Sequence, residues 1–102
     1  MADDKMNTLL FDVKNYLDIT WDDTLGDEKI MGIVKRGMDA ISKKVGECNF
    51  FEETQERGLL FDYVMYARAG EIPQFWSNYK EDIISLQIDR KVDAYAKIQG
   101  QI

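Results

Sequence analysis

The segment LLFDYVMYARAG, residues 59–70, places apolar side chains around nearly the whole circumference of a helix. At 3.6 residues per turn, Leu60, Val64 and Ala67 share one side. Phe61 and Met65, with Arg68, share a second, and Leu59, Tyr63 and Tyr66 a third. A helix of this kind has no face to give to water, so it lies at the centre of a bundle or is covered by oligomerisation. The expected fold is therefore all-α, a small four-helix bundle with this segment inside it.

Local signals set the limits of that central helix. Thr54 is a candidate N-cap, Glu56 and Arg57 open the helix, and Gly70 stands where a C-terminal glycine closes one. Pro73, the only proline, suits the first turn of a fourth helix, along which Phe75, Trp76, Tyr79, Ile83 and Leu86 recur at helical spacing. The crowded aromatics on either side of Gly70 thus read as the packing of a turn between two core helices. A base-stacking platform would interleave them with Lys and Arg, and only Arg68 and Lys80 are near.

Upstream, Leu9, Leu10, Val13, Tyr16 and Leu17 predict a short helix over residues 8–18, with Asn7 or Thr8 as cap. A loop follows through Thr20, Asp22, Asp23 and Gly26, with Trp21 expected to fold back onto the core. A second helix over residues 27–45 carries the stripe Ile30, Ile33, Val34, Ile41 and Val45, and Gly46 closes it. Gly37 falls beside the stripe, where small size would admit a neighbouring helix. In the connection that follows, adjacent Phe50 and Phe51 point to opposite sides of an extended chain, one to the core and one outward.

Beyond Leu86 the pattern weakens. In QIDRKVDAYAKIQGQI, Arg90 interrupts an alternating apolar set. The segment reads equally as a strand, as an extension of the fourth helix, or as a tail ordered by a partner. Two units are expected: a helical domain over residues 1–88 and a C-terminal tail over residues 89–102, flexible in the free chain and ordered on assembly.

Few chemistries remain open. The chain has no histidine and one cysteine, Cys48, which excludes an internal disulfide and a Cys-His nucleophilic pair and leaves a half-buried loop thiol. Phosphate loops, zinc-protease motifs, nucleophile elbows and dinucleotide fingerprints are lacking from the sequence. Asp22, Asp23 and Asp27 are the one conceivable Mg²⁺ set, and solvated loop and helix-start charges are the simpler reading. No catalytic, cofactor or metal residue is expected. A net charge of −6 disfavours neutralising DNA phosphates. Lys35, Arg36, Lys43 and Lys44 nevertheless form a basic side of the second helix, suited to an acidic neighbour, such as the N-terminal third of a second copy. Apolar runs fall short of the roughly 20 residues a membrane helix needs. The start, MADDKMN, is acidic where a secretory signal is basic. A soluble chain made in the cytoplasm is expected.

The segments LLFDVKNYLDIT, KIMGIVKRGMDAISKKVG, LLFDYVMYARAG and FWSNYKEDIISLQ, taken in order, resemble the small helical head-to-tail connector proteins of long-tailed phages, the head-completion or adaptor family. The resemblance spans residues 9–87. Val13, Lys14, Tyr16, Leu17 and Ile19 match its VKxYLxI pattern, and Leu60, Tyr63, Tyr66 and Ala67 its L…Y…YA helix. It implies a helical bundle assembled as a ring, generally dodecameric, in the virion between the portal protein and the next connector or stopper protein. Such a ring continues the DNA channel after packaging without sequence-specific binding. The resemblance implies no enzymatic activity, and it makes the loop after the first helix and the C-terminal tail the expected partner contacts. The alternative classes are a small nucleic-acid-binding module and a generic protein-interaction domain.

Overall fold

The structure, a computed structural model, describes residues 2–20 and 23–100. Five helices follow one another: α1 (Ala2–Tyr16), α2 (Thr24–Val45), α3 (Gln55–Arg68), α4 (Ile72–Asn78) and α5 (Lys80–Gly100). No strand occurs among the described residues.

Helix α3 packs against α1, α2 and α4 but is not covered all round, since Met65 and Arg68 are exposed. Leu59, Leu60, Tyr63 and Val64 are buried, and Phe61, Tyr66 and Ala67 pack half-buried against the core. The most extensive helix contact is between α3 and α2, which contributes Ile30, Val34, Ile41 and Val45. The two helices are in close contact at Gly37. A Cβ built there would lie 2.6 Å from Tyr63 Cδ1 and 2.8 Å from Leu60 Cδ1. Helix α1 lays Leu9 and Val13 onto this pair, and α5 adds Ile83 and Leu86.

The expected boundary signals operate at both ends of α3. The Thr54 hydroxyl accepts from Arg57 N at 3.2 Å. At the other end Gly70, at φ 73°, closes a Schellman turn in which Gly70 N donates to Ala67 O and Glu71 N to Tyr66 O. Pro73 lies in the first turn of α4. The adjacent phenylalanines divide as expected, with Phe50 buried and Phe51 exposed.

Four features depart from the sequence expectation, the first being that α2 begins at Thr24 rather than residue 27, because Asp23 in the expected loop caps it. Helix α1 begins at Ala2 rather than near residue 8, and Asp4 in its first turn suits the positive end of a helix. Thr8 is consequently internal, and its hydroxyl donates to Asp4 O. Helix α1 ends on Asp18 in the left-handed conformation, φ 57°, with Ile19 N donating to Lys14 O and Asp18 N to Asn15 O. This is the same turn that Gly70 makes, with an aspartate tolerating the unusual backbone. The expected fourth helix is divided at Tyr79, φ −107° and ψ 17°, into α4 and α5. The break carries Phe75 to full burial, in ring contact with Tyr63 at 5.4 Å and Tyr66 at 5.9 Å. The aromatics around the Gly70 turn are thus core packing. Trp21 and Asp22 lie outside the described residues.

The C-terminal segment continues α5 and is not a strand; the helix crosses position 88 without interruption. Residues 91–96 are all exposed. The molecule is elongated, 54 × 34 × 18 Å, with a radius of gyration of 15.2 Å. A compact domain of this length has about 13 Å.

The Gly37 contact and the open surroundings of Gly32 give opposed outcomes for one chemical change. Gly32→Ala meets only the mobile end of Arg36, at 3.4 Å. It is expected to raise stability by about 0.5–1 kcal/mol through helix propensity. Gly37→Ala is expected to lower stability by about 1–2 kcal/mol, because overpacking exceeds that gain. Equal effects of the two in urea denaturation would show that the α2–α3 approach is not size-limited at Gly37.

Candidate interaction surface

Helix α5 has two apolar sides. One faces the core through Ile83 and Leu86. The other carries Ile84, Ile88, Val92 and Tyr95 at spacings of four, four and three, with exposure rising from 42% at Ile84 to 64% at Tyr95. These four form one stripe on the exposed side of α5. Phe11, Tyr16, Leu25, Phe51 and Met65 are exposed on the other elements.

The middle of α5 is held by a part-buried ionic network. Arg90 Nη2 donates to Glu56 Oε2 at 2.9 Å, and Arg90 Nε to Glu47 O at 3.0 Å. Glu56 Oε2 also accepts from Asn49 N at 3.1 Å. Next to it, Arg57 Nη2 donates to Asp12 Oδ2 at 2.6 Å and Arg57 Nη1 to Phe50 O at 3.1 Å. Consecutive residues at the start of α3 thus reach in two directions. Glu56 ties α5 and the connection to α3, and Arg57 ties α1 and the connection to it. Gln87 Nε2 adds a bond to Lys44 O at 2.8 Å. Arg90, which interrupts the apolar pattern of the tail, is therefore an anchor. The sequence held one signal of this: position 90 is four beyond Leu86 and seven beyond Ile83, on the core-facing side.

Cys48 sits half-buried in the same connection, with Sγ donating to Gly46 O at 3.2 Å. Burial pushes its thiol above the ordinary value of 9.0, and Glu56 nearby adds to that, against the opposing pull of Arg90. Such a thiol carries little of the reactive thiolate at neutral pH.

The basic set on α2 does not act as one patch. Lys43 pairs with Asp39 on its own helix at 2.9 Å. Lys44 turns to α4, its Nζ 5.0 Å from the Trp76 ring centre, and lines a cleft of about 210 Å³ with Trp76, Lys80, Ile83, Ile84 and Gln87. Lys35 and Arg36 remain exposed. The early carboxylates are also separated in role. Asp23 caps α2 by accepting from Leu25 N and Gly26 N, and Asp27 pairs with Lys14 at 2.8 Å. Among the described residues no three His, Cys, Asp or Glu side chains are grouped to hold a metal ion, and no helix is long and apolar enough to cross a membrane.

A tyrosine cluster surrounds Asp62 on the opposite side of α3. Tyr16 Oη donates to Asp62 Oδ1 at 2.6 Å, and this bond raises the Tyr16 pKa. Tyr79 is pushed up to about 12, first by burial and then by Asp62.

Comparison with protein-family models, curated proteins and solved structures returned no match.

Two predictions follow from the ion pairs and the tyrosines. Arg57→Met is expected to cost about 3 kcal/mol, since its side chain is only 9% exposed and its loss strands Asp12 and the Phe50 carbonyl. Lys43→Met breaks a pair exposed at 75% and 65% and is expected to change stability by less than about 0.5 kcal/mol. Denaturation midpoints that shift alike would remove the Arg57 network as a fold determinant. In alkaline titration, the raised tyrosines favour the protonated phenol in the folded state. Their contribution is complete below the ordinary value of 10.0 and lost as pH rises toward about 12. Ultraviolet absorbance of the phenolates is expected to show Tyr16 and Tyr79 ionising at lower pH in Asp62→Asn than in the parent.

Proposed function

We propose that this chain is a structural, non-enzymatic connector of a phage virion, docking on the portal ring and extending the DNA channel after packaging. The observation that carries the reading is the ordered resemblance across residues 9–87. Its four segments overlap α1, α2, α3 and the α4–α5 pair in chain order, each covering part of its element. The exposed stripe of α5 supports it by offering a protein-binding surface, and the chain's acidity is consistent with a channel that does not hold DNA.

In this reading α1, α2, α3 and α5 form the four-helix unit, with α4 as the corner that turns the chain into α5. The exposed end of α5 is the docking element. The partners are the portal protein, further copies of the chain in a ring, and the next connector or stopper protein. Net negative charge keeps DNA sliding through the ring, because like charge removes phosphate-binding wells.

Mixing the purified protein with portal rings tests the reading. Co-sedimentation of the chain with portal is expected, and its absence with assembly-competent portal would overturn the proposal. Residues 1–91, which keep Arg90 and its bonds to Glu56 and Glu47, are expected to fold like the full chain and to bind portal at least tenfold more weakly. Full-affinity docking by that shortened chain would remove the end of α5 from the interface. Duplex DNA at low salt is expected to leave fluorescence anisotropy unchanged. Micromolar, steeply salt-dependent binding would favour a nucleic-acid module instead.

A further inference from the structure

We propose that α5 pairs in parallel with α5 of a second copy of this chain through Ile84, Ile88, Val92 and Tyr95, forming a closed two-fold dimer. The pairing concerns the free chain and stands or falls independently of portal docking.

The stripe has the geometry of a helix-pairing seam. At 3.6 residues per turn its four side chains fall within an arc of about 80°, and Ile84 to Tyr95 span about 16 Å of helix. The core-facing residues Ile83, Leu86 and Arg90 occupy the opposite arc, and the body of the protomer reaches the stripe only at its base, where Ile84 and Lys80 line the cleft with Lys44 and Trp76. From Lys91 to Ala96 every residue is exposed, which leaves the outer turns open to a neighbour.

The charges beside the stripe select the occupant and its direction. Lys80 and Lys91 border one edge. Glu81 and Asp89 lie toward the other. All four are exposed, and none belongs to a salt bridge among the described residues. When two copies pair in parallel, the two-fold axis runs along the helices and sets the lysine edge of each against the acidic edge of the other. Lys80 then meets Glu81, and Lys91 meets Asp89, at heights that differ by about 1.5–3 Å. An antiparallel pair would set lysine edge beside lysine edge. A second copy thus supplies both the apolar face and the opposite charges in register. The pair is closed, unlike the head-to-tail contact that builds a ring. Its seam is short, so it exchanges between monomer and dimer in the manner of small interfaces.

Sedimentation equilibrium of the full chain from micromolar to millimolar concentration tests the pairing. The mass is expected to rise from the protomer's 11.9 kDa and level at two copies. A protomer mass throughout, or growth beyond two copies, would overturn the proposal. Ile88→Glu is expected to hold the mass at one protomer with helical circular dichroism unchanged, since Ile88 does not contribute to the core. A dimer that survives this substitution would equally overturn it. Direction is read by oxidation in a Cys48→Ser background. Tyr95→Cys is expected to form its disulfide dimer at least tenfold faster than Asp82→Cys, which lies off the seam. Preferential mixed disulfides between Ile84→Cys and Tyr95→Cys chains would show antiparallel pairing and reject the parallel arrangement.

Discussion

The close passage of α2 over α3 at Gly37 is the contact on which the other helices depend. Leu60 and Tyr63 fill the space that any side chain at position 37 would need. With the two helices this near, their apolar stripes meet along Val34, Ile41, Leu60 and Val64, all of them fully buried. Each such aliphatic side chain contributes roughly 1.5–3 kcal/mol of burial. Helix α1 then has one surface to cover, α5 another, and the aromatic corner at Phe75 seals the third. A bundle of this size has little core to spare, so a gap opened at its central crossing would be felt by every helix packed on it.

Polar residues fix what the apolar core leaves adjustable. Helix stripes tolerate sliding and rotation, because one aliphatic contact resembles the next. The bonds of Glu56 and Arg57 are directional. Arg57 grips one carboxylate on α1 and one carbonyl of the connection, while Glu56 grips Arg90 on α5 and an amide of the connection. Two neighbouring residues of opposite sign therefore set the angles of two different helices from the start of α3. Their burial costs desolvation, so the network is understood better as a device for placement than as a source of stability.

Much of this was legible in the sequence, and the reasons differ by element. Thr54, Gly70 and Pro73 act through local backbone chemistry, and local chemistry is visible in a short window. Gly37 was legible because a small residue beside an apolar stripe has few other uses. The start of α1 was obscured because Thr8 resembles a cap and the acidic turn before it resembles a solvated terminus. Asp18 closes a helix with a residue that more often opens one. The break at Tyr79 has no Gly or Pro to mark it, and it depends on how Phe75 packs among Tyr63 and Tyr66, which is tertiary. Glu56 and Arg57 read as ordinary helix-start charges. Only the folded arrangement brings Asp12 from α1 and Arg90 from α5 to them, across separations of 45 and 34 residues. The interaction surface was half legible: Ile88, Val92 and Tyr95 stood at helical spacing and Arg90 fell in register with Ile83 and Leu86, but its partner Glu56, 34 residues away, was not visible in a local window.

Once Arg90 is fixed, the outward face of α5 follows. A helix that turns an arginine inward to a buried carboxylate, and isoleucine, valine and tyrosine outward to water, reverses the usual partition of side chains. Exchanging the two sets would bury more apolar area, yet it would remove the anchor that directs the helix past the end of α2. The arrangement favours orientation over burial within the protomer, so the apolar surface it leaves is presented along a defined direction. A flexible tail with the same four residues would have to lose backbone entropy of about 1–2 kcal/mol per residue to present them together. In α5 they are already aligned before any partner arrives, and the free energy of their burial is available for association.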